Sequence, residues 1–208
     1  MKVLFYGDSI TDAGRNYEVL HGEESYGYGY VKYAAAGLKQ RGLAEEDIIN
    51  KGISGNRIVD LYARIKADCW NHQPDLISIL IGVNDVWHEI ERNNGVELDR
   101  FEKMYRILIE DTKKVLPNVK MLLCEPFVLK GTATAEKFDR FEDVYKYAKV
   151  VKQLAKEYGL YFLPLQETLS KTAAGKEAEY LTDGVHPAEA GAKLIAVEWL
   201  KAFEQIQK

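Results

Sequence analysis

Leu76-Ile77-Ser78-Ile79-Leu80-Ile81 is almost continuously apolar and is closed by Gly82-Val83-Asn84-Asp85. A strand with one face on a core alternates apolar and polar residues, whereas a strand covered on both faces reads as an unbroken apolar run. The stretch therefore predicts a buried strand between two layers of helix, ending in a polar loop.

The same pattern recurs on either side. Val3–Tyr6 is an apolar run that breaks at Gly7-Asp8-Ser9, and Asp47–Asn50 is a shorter one leading into Lys51-Gly52-Ile53-Ser54-Gly55-Asn56. Downstream, Val119–Cys124 ends at Glu125-Pro126, and Leu160–Leu163 follows Gly159. Helical spacing of apolar residues links these runs over Val31–Leu38, Ile58–Ile65, about Leu98–Val115, Phe141–Tyr158 and Ala188–Phe203. Residues 82–85 and about 130–135 read as loops. Strand and helix alternating in this way predict an α/β chain, with a five-stranded parallel sheet between two helical layers. No linker, repeat or low-complexity stretch divides residues 1–208, so one domain is expected.

Composition narrows the function classes. With 208 residues, 47% hydrophobic and 29% charged, the chain matches an ordinary globular protein. A net charge of -4 offers no basic footprint for nucleic acid and no polybasic membrane signal. No apolar run approaches the roughly 18 residues of a membrane span. The first strand begins at once, leaving no room for a signal peptide, so a cytoplasmic location is expected. Cys69 and Cys124 lack metal-type spacing, and Cys124 reads as a buried structural thiol. His21, His72, His88 and His186 show no ligand pairing, so neither metal nor cofactor is expected. No phosphate loop or Gly-x-Gly-x-x-Gly follows the first strand, which argues against a nucleotide-binding module.

Parallel strands end at one edge of their sheet, where the loops after strands one, two and three can converge. Those loops carry Gly7-Asp8-Ser9, Gly52–Asn56 and Gly82-Val83-Asn84-Asp85, and a late loop carries Asp183-Gly184-Val185-His186-Pro187. Each has a purely structural explanation. Ser9 and Asp12 resemble a capping box, Gly55 suits a turn with positive φ, and Asn84-Asp85 is ordinary turn chemistry. Together they also supply a hydroxyl nucleophile (Ser9), a base (His186) and an acid three positions away to orient it (Asp183). Donors for an oxyanion would be the Ser9 and Gly55 amides and the Asn84 side chain, with Gly52 a rival for Gly55.

In these four blocks, in order and across nearly the whole chain, the sequence resembles the SGNH (GDSL-type) esterase/lipase family. Ile10 stands where the name-giving motif has leucine, a conservative change. The resemblance implies a flavodoxin-like three-layer sandwich and a serine esterase working through an acyl-enzyme. It gives Ser9 the nucleophile's role, His186 that of general base and acid, and Asp183 that of its orienting partner. Ser9, Gly55 and Asn84 would form the oxyanion hole.

The strings Asn50–Asn56 and Gly82–Trp87 look most like acetylxylan-esterase-type members, which implies deacetylation of xylo-oligosaccharides or related sugars. Similar esterases form homo-oligomers. Arylesterase, lysophospholipase and thioesterase activities belong to the same family, and a non-catalytic module on the same sheet is the alternative from another class. Trp87, close to Asn84, is expected to line the substrate site. Asp8 is placed there too, although it also reads as a brace for its own turn. Tyr26, Tyr28 and Tyr30 suit either a site lining or a packing role.

Overall fold

The computed structural model describes residues 1–208. Five parallel strands, β1 (Val3–Gly7), β2 (Ile48–Gly52), β3 (Leu76–Leu80), β4 (Lys120–Cys124) and β5 (Tyr161–Leu163), lie in the order β2-β1-β3-β4-β5. Helices α1 (Ser9–Asp12), α2 (Glu23–Tyr26) and α3 (Tyr30–Gln40) follow β1, and α4 (Ile58–Asp68) follows β2. After β3 come α5 (Val83–Arg92) and α6 (Leu98–Val115), and after β4 come α7 (Phe138–Phe141) and α8 (Val144–Glu157). The chain closes with α9 (Gln166–Ala173), α10 (Glu177–Tyr180) and α11 (Glu189–Ile206). This is the flavodoxin-like order, and the chain reverses direction across the sheet at β1.

The two-sided burial read from the sequence has a direct cause. Alternate residues of β1 point to opposite layers. Phe5 meets Tyr30 of α3 at 5.9 Å and Trp199 of α11 at 4.7 Å between ring centroids. Tyr6 points the other way and donates its hydroxyl to the Leu61 carbonyl of α4 at 2.6 Å. Ser78, the one polar residue of β3, is fully buried and accepts the Trp199 indole N–H at 2.8 Å. A lone buried hydroxyl would cost about 1–3 kcal/mol, which this bond offsets. Cys124 is buried against Ser78, and burial pushes its thiol up to about 12, as expected of a structural cysteine.

Three features differ from the sequence reading. Residues 83–85, read as a loop, form the first turn of α5. The helix expected from Phe141 begins only at Val144, as α8, and Phe141 itself ends the separate short helix α7. Tyr26 and Tyr30 are buried in the core, whereas Tyr28 is 70% exposed over Gly14, so the three tyrosines do not act as a set.

Candidate active site

Register puts the site together. Gly7 at the end of β1 pairs with Gly52 of β2 and with Leu80 of β3, so three loops leave the sheet at one level. Any Cβ on Gly7 would meet Thr11 and the Leu80 carbonyl. Glycine there lets the chain turn tightly into α1 and leaves Ser9 as its first residue.

The helix cap is Asp8, not Ser9. Asp8 Oδ1 accepts the Ile10 amide at 3.0 Å, which frees the Ser9 hydroxyl from any capping role. That hydroxyl lies 2.8 Å from His186 Nε2, and His186 Nδ1 lies 2.7 Å from Asp183 Oδ2. With the Nδ1–H given to the carboxylate, Nε2 accepts the serine proton. Asp183 Oδ1 also accepts the amides of Val185 at 2.9 Å and His186 at 2.8 Å. Burial alone would raise the Asp183 carboxyl, but the His186 ring and these two amides outweigh it and hold it at about 2. In return, the bond to Asp183 raises the His186 imidazole above its ordinary value despite partial burial.

Beside Ser9, the Gly55 turn is fastened to α1. Asp12 Oδ2 accepts the Ser54 amide at 3.1 Å and the Ser54 hydroxyl at 2.6 Å, and Arg15 Nε donates to the Gly52 carbonyl at 2.8 Å. Gly55 has a φ of +80°, a backbone favoured by glycine, and its amide meets no acceptor in the chain. The Gly52 amide, by contrast, is already bound to Asn50 Oδ1 at 2.9 Å. Of the two rivals, only Gly55 has an N–H to offer.

Asn84 occupies the first turn of α5 and is almost entirely buried. One N–H of its amide donates to the Asn56 carbonyl at 3.1 Å, which orients the group and leaves a second N–H unspent. Asp85, next in the helix, accepts the Ile58 amide at 3.1 Å and so ties α5 to the start of α4. Burial pushes its carboxyl up to about 8.

Trp87 lies three residues beyond Asn84 on the same helix face, half-buried, with its ring 5.7 Å from the His186 ring and edge-on to Phe141 at 5.8 Å. Asp8 needs correction. It has no solvent exposure, and burial raises its carboxyl to about 7, so no substrate contacts it in this conformation. Asp8 braces the Ser9 turn and faces His186 electrostatically from within. Asp12 and Asp85 were not singled out by sequence as fasteners. Asp12 had left a trace, in the Ser-x-x-Asp spacing read as a capping box.

Comparison with known proteins identifies the family. The model of a family described as GDSL-like lipase/acylhydrolase matches residues 5–194. An acetylxylan esterase from Geobacillus stearothermophilus is 37% identical over 99% of this chain and 96% of its own. Its crystal structure superposes with a TM-score of 0.82, covering 97% of this chain and 93% of that one at 36% identity. That esterase has also been solved as catalytic mutants in which a serine, an aspartate or a histidine is alanine. A protein of Parabacteroides merdae ATCC 43184, described as a GDSL-like lipase, superposes with a TM-score of 0.91 at 37% identity, covering 97% and 94% of the two chains. The acetyl xylan esterase AlAXEase gives 0.81 at 30% identity, covering 97% and 99%. By its sequence across nearly its whole length, the chain belongs to the GDSL-like lipase/acylhydrolase family and is a carboxylic ester hydrolase.

Proposed function

We propose that this chain removes acetyl groups from xylo-oligosaccharides or related sugars through an acetyl-enzyme formed on Ser9. The observation that carries the chemistry is the continuous chain of hydrogen bonds from Ser9 through His186 to Asp183. His186 takes the Ser9 proton as Oγ attacks the ester carbonyl. The Ser9 and Gly55 amides and the free N–H of Asn84 receive the developing oxyanion. His186 then hands its proton to the departing sugar oxygen, and water repeats the cycle against the acetyl-serine.

Supporting this reading, the related Geobacillus stearothermophilus protein is an acetylxylan esterase, and its catalytic mutants replace the same three residue types. Trp87 favours a sugar at this site, because an indole beside the base offers an apolar face to a pyranose ring.

Two measurements test the proposal. In a series of p-nitrophenyl esters, kcat/KM is expected to peak at acetate, with acetate released from acetylated xylo-oligosaccharides. A maximum at octanoate would replace the acetyl-sugar reading with that of a lipase or lysophospholipase. Asn84→Ala is expected to lower kcat by about 10²–10³-fold while KM changes little. A change in KM alone would make Asn84 a substrate-binding residue.

A further inference from the structure

The loop after β4 makes no hydrogen bond to Ser9, yet it is built onto the turn that carries the acid and the base. The Leu129 amide donates to the Gly184 carbonyl at 2.9 Å, and the Ala133 amide to the Asp183 carbonyl at 3.0 Å. Gly131 packs so closely that a Cβ there would strike the Asp183–Gly184 peptide. Gly184 returns the fit. Its φ is +100°, and a Cβ on it would strike Thr134 Oγ1 and the Leu129 carbonyl. Two turns thus interlock, backbone against backbone.

Thr134 holds the loop's half of this lock. Its side chain has no solvent exposure. Its hydroxyl donates to the Leu129 carbonyl at 2.6 Å and accepts the Gly131 amide at 2.9 Å, closing the loop on itself. Removing the hydroxyl takes the side-chain partner from the buried Leu129 carbonyl and from the part-buried Gly131 amide together.

We propose that Thr134 is a positioning residue for the Asp183–His186 pair, its hydroxyl keeping the 129–135 loop in the shape that fixes the Asp183 backbone. The loop holds Asp183 from its main-chain side, while His186 and Val185 hold the carboxylate. Loosening the first lets the second drift, and a misplacement of about 1 Å in a catalytic group can cost as much as 10²-fold in rate. Buried as it is, Thr134 touches no substrate, so the effect falls on kcat. It also falls on His186, whose titratable neighbours are Asp183 from its own turn and Asp8 from the start of α1.

The inference rests on the triad reading and is tested separately from it. Thr134→Val keeps the shape and removes the hydroxyl. It is expected to lower kcat on p-nitrophenyl acetate by about tenfold, with KM within about twofold. The acidic limb of its kcat/KM profile should move to lower pH, because a slackened Asp183 no longer holds the His186 proton so firmly. The downfield Nδ1–H resonance of His186 should weaken in the proton NMR spectrum. Thr134→Ser, which retains the hydroxyl, should restore all three. A folded Thr134→Val with unchanged kcat and pH limb overturns the proposal. So does failure of both Thr134→Val and Thr134→Ala to fold, since the hydroxyl would then serve the whole fold. If Ser9→Ala is inactive but Thr134→Val is normal, only this inference falls. If Ser9→Ala is active, the triad reading itself falls.

Discussion

Ser9→Ala is expected to reduce kcat on acetyl esters by about 10⁴–10⁶-fold, because the only hydroxyl bonded to the His186 imidazole is gone. Residual turnover would come from the oxyanion donors and from binding alone. Stability should hardly follow. The cap of α1 is Asp8, whose bond to the Ile10 amide is untouched, so the loss is one side-chain hydrogen bond of about 1 kcal/mol. Steady-state kinetics beside a thermal melt separates the two effects, and an organophosphate probe should label the native chain but not the variant. A melt shifted as far as that of a cap mutant, with activity retained, would return Ser9 to the structural role that its Ser-x-x-Asp setting suggested.

That contrast marks where sequence stops being informative. Periodicity and apolar runs report burial, and burial is what organises this sheet. Leu76–Ile81 reads as a strand because both layers cover it, and it lies within one residue of the observed Leu76–Leu80. The four-loop site is legible for the same reason, since a parallel sheet delivers the ends of its strands to one edge. What a single polar side chain bonds to is decided by residues far away along the chain. Ser9 and Asp12 had the spacing of a capping box, yet Asp8 takes the cap and Asp12 fastens the Gly55 turn, forty-odd positions away. Asn84-Asp85 had the composition of a turn, yet both lie in α5, held there by Asn56 and Ile58. Thr134 sits in a stretch of Thr and Ala with no pattern of its own, and its partner turn lies about fifty residues on.

Asp183→Asn should be nearly as damaging as the loss of the nucleophile, for a reason the hydrogen bonds make explicit. Asp183 Oδ1 is committed to the Val185 and His186 amides, so an asparagine keeps its carbonyl there and turns its NH₂ toward His186 Nδ1. Nδ1 must then accept, which moves the imidazole proton to Nε2 and points an N–H at the Ser9 oxygen. The base is present but in the wrong tautomer, and kcat is expected to fall by about 10⁴-fold with the fold intact. The pH profile carries the sign. Neutral His186 is the active form. In the native chain Asp183 raises its pKa, so kcat/KM climbs only as pH passes through that raised value. Without the carboxylate the imidazole deprotonates at lower pH, so the limb shifts down and the deficit narrows as the solution is acidified. Asp8, buried and raised to about 7, also faces His186 and remains in the variant. If the limb stayed in place, with a loss of only about tenfold, Asp8 rather than Asp183 would be the carboxylate holding the base.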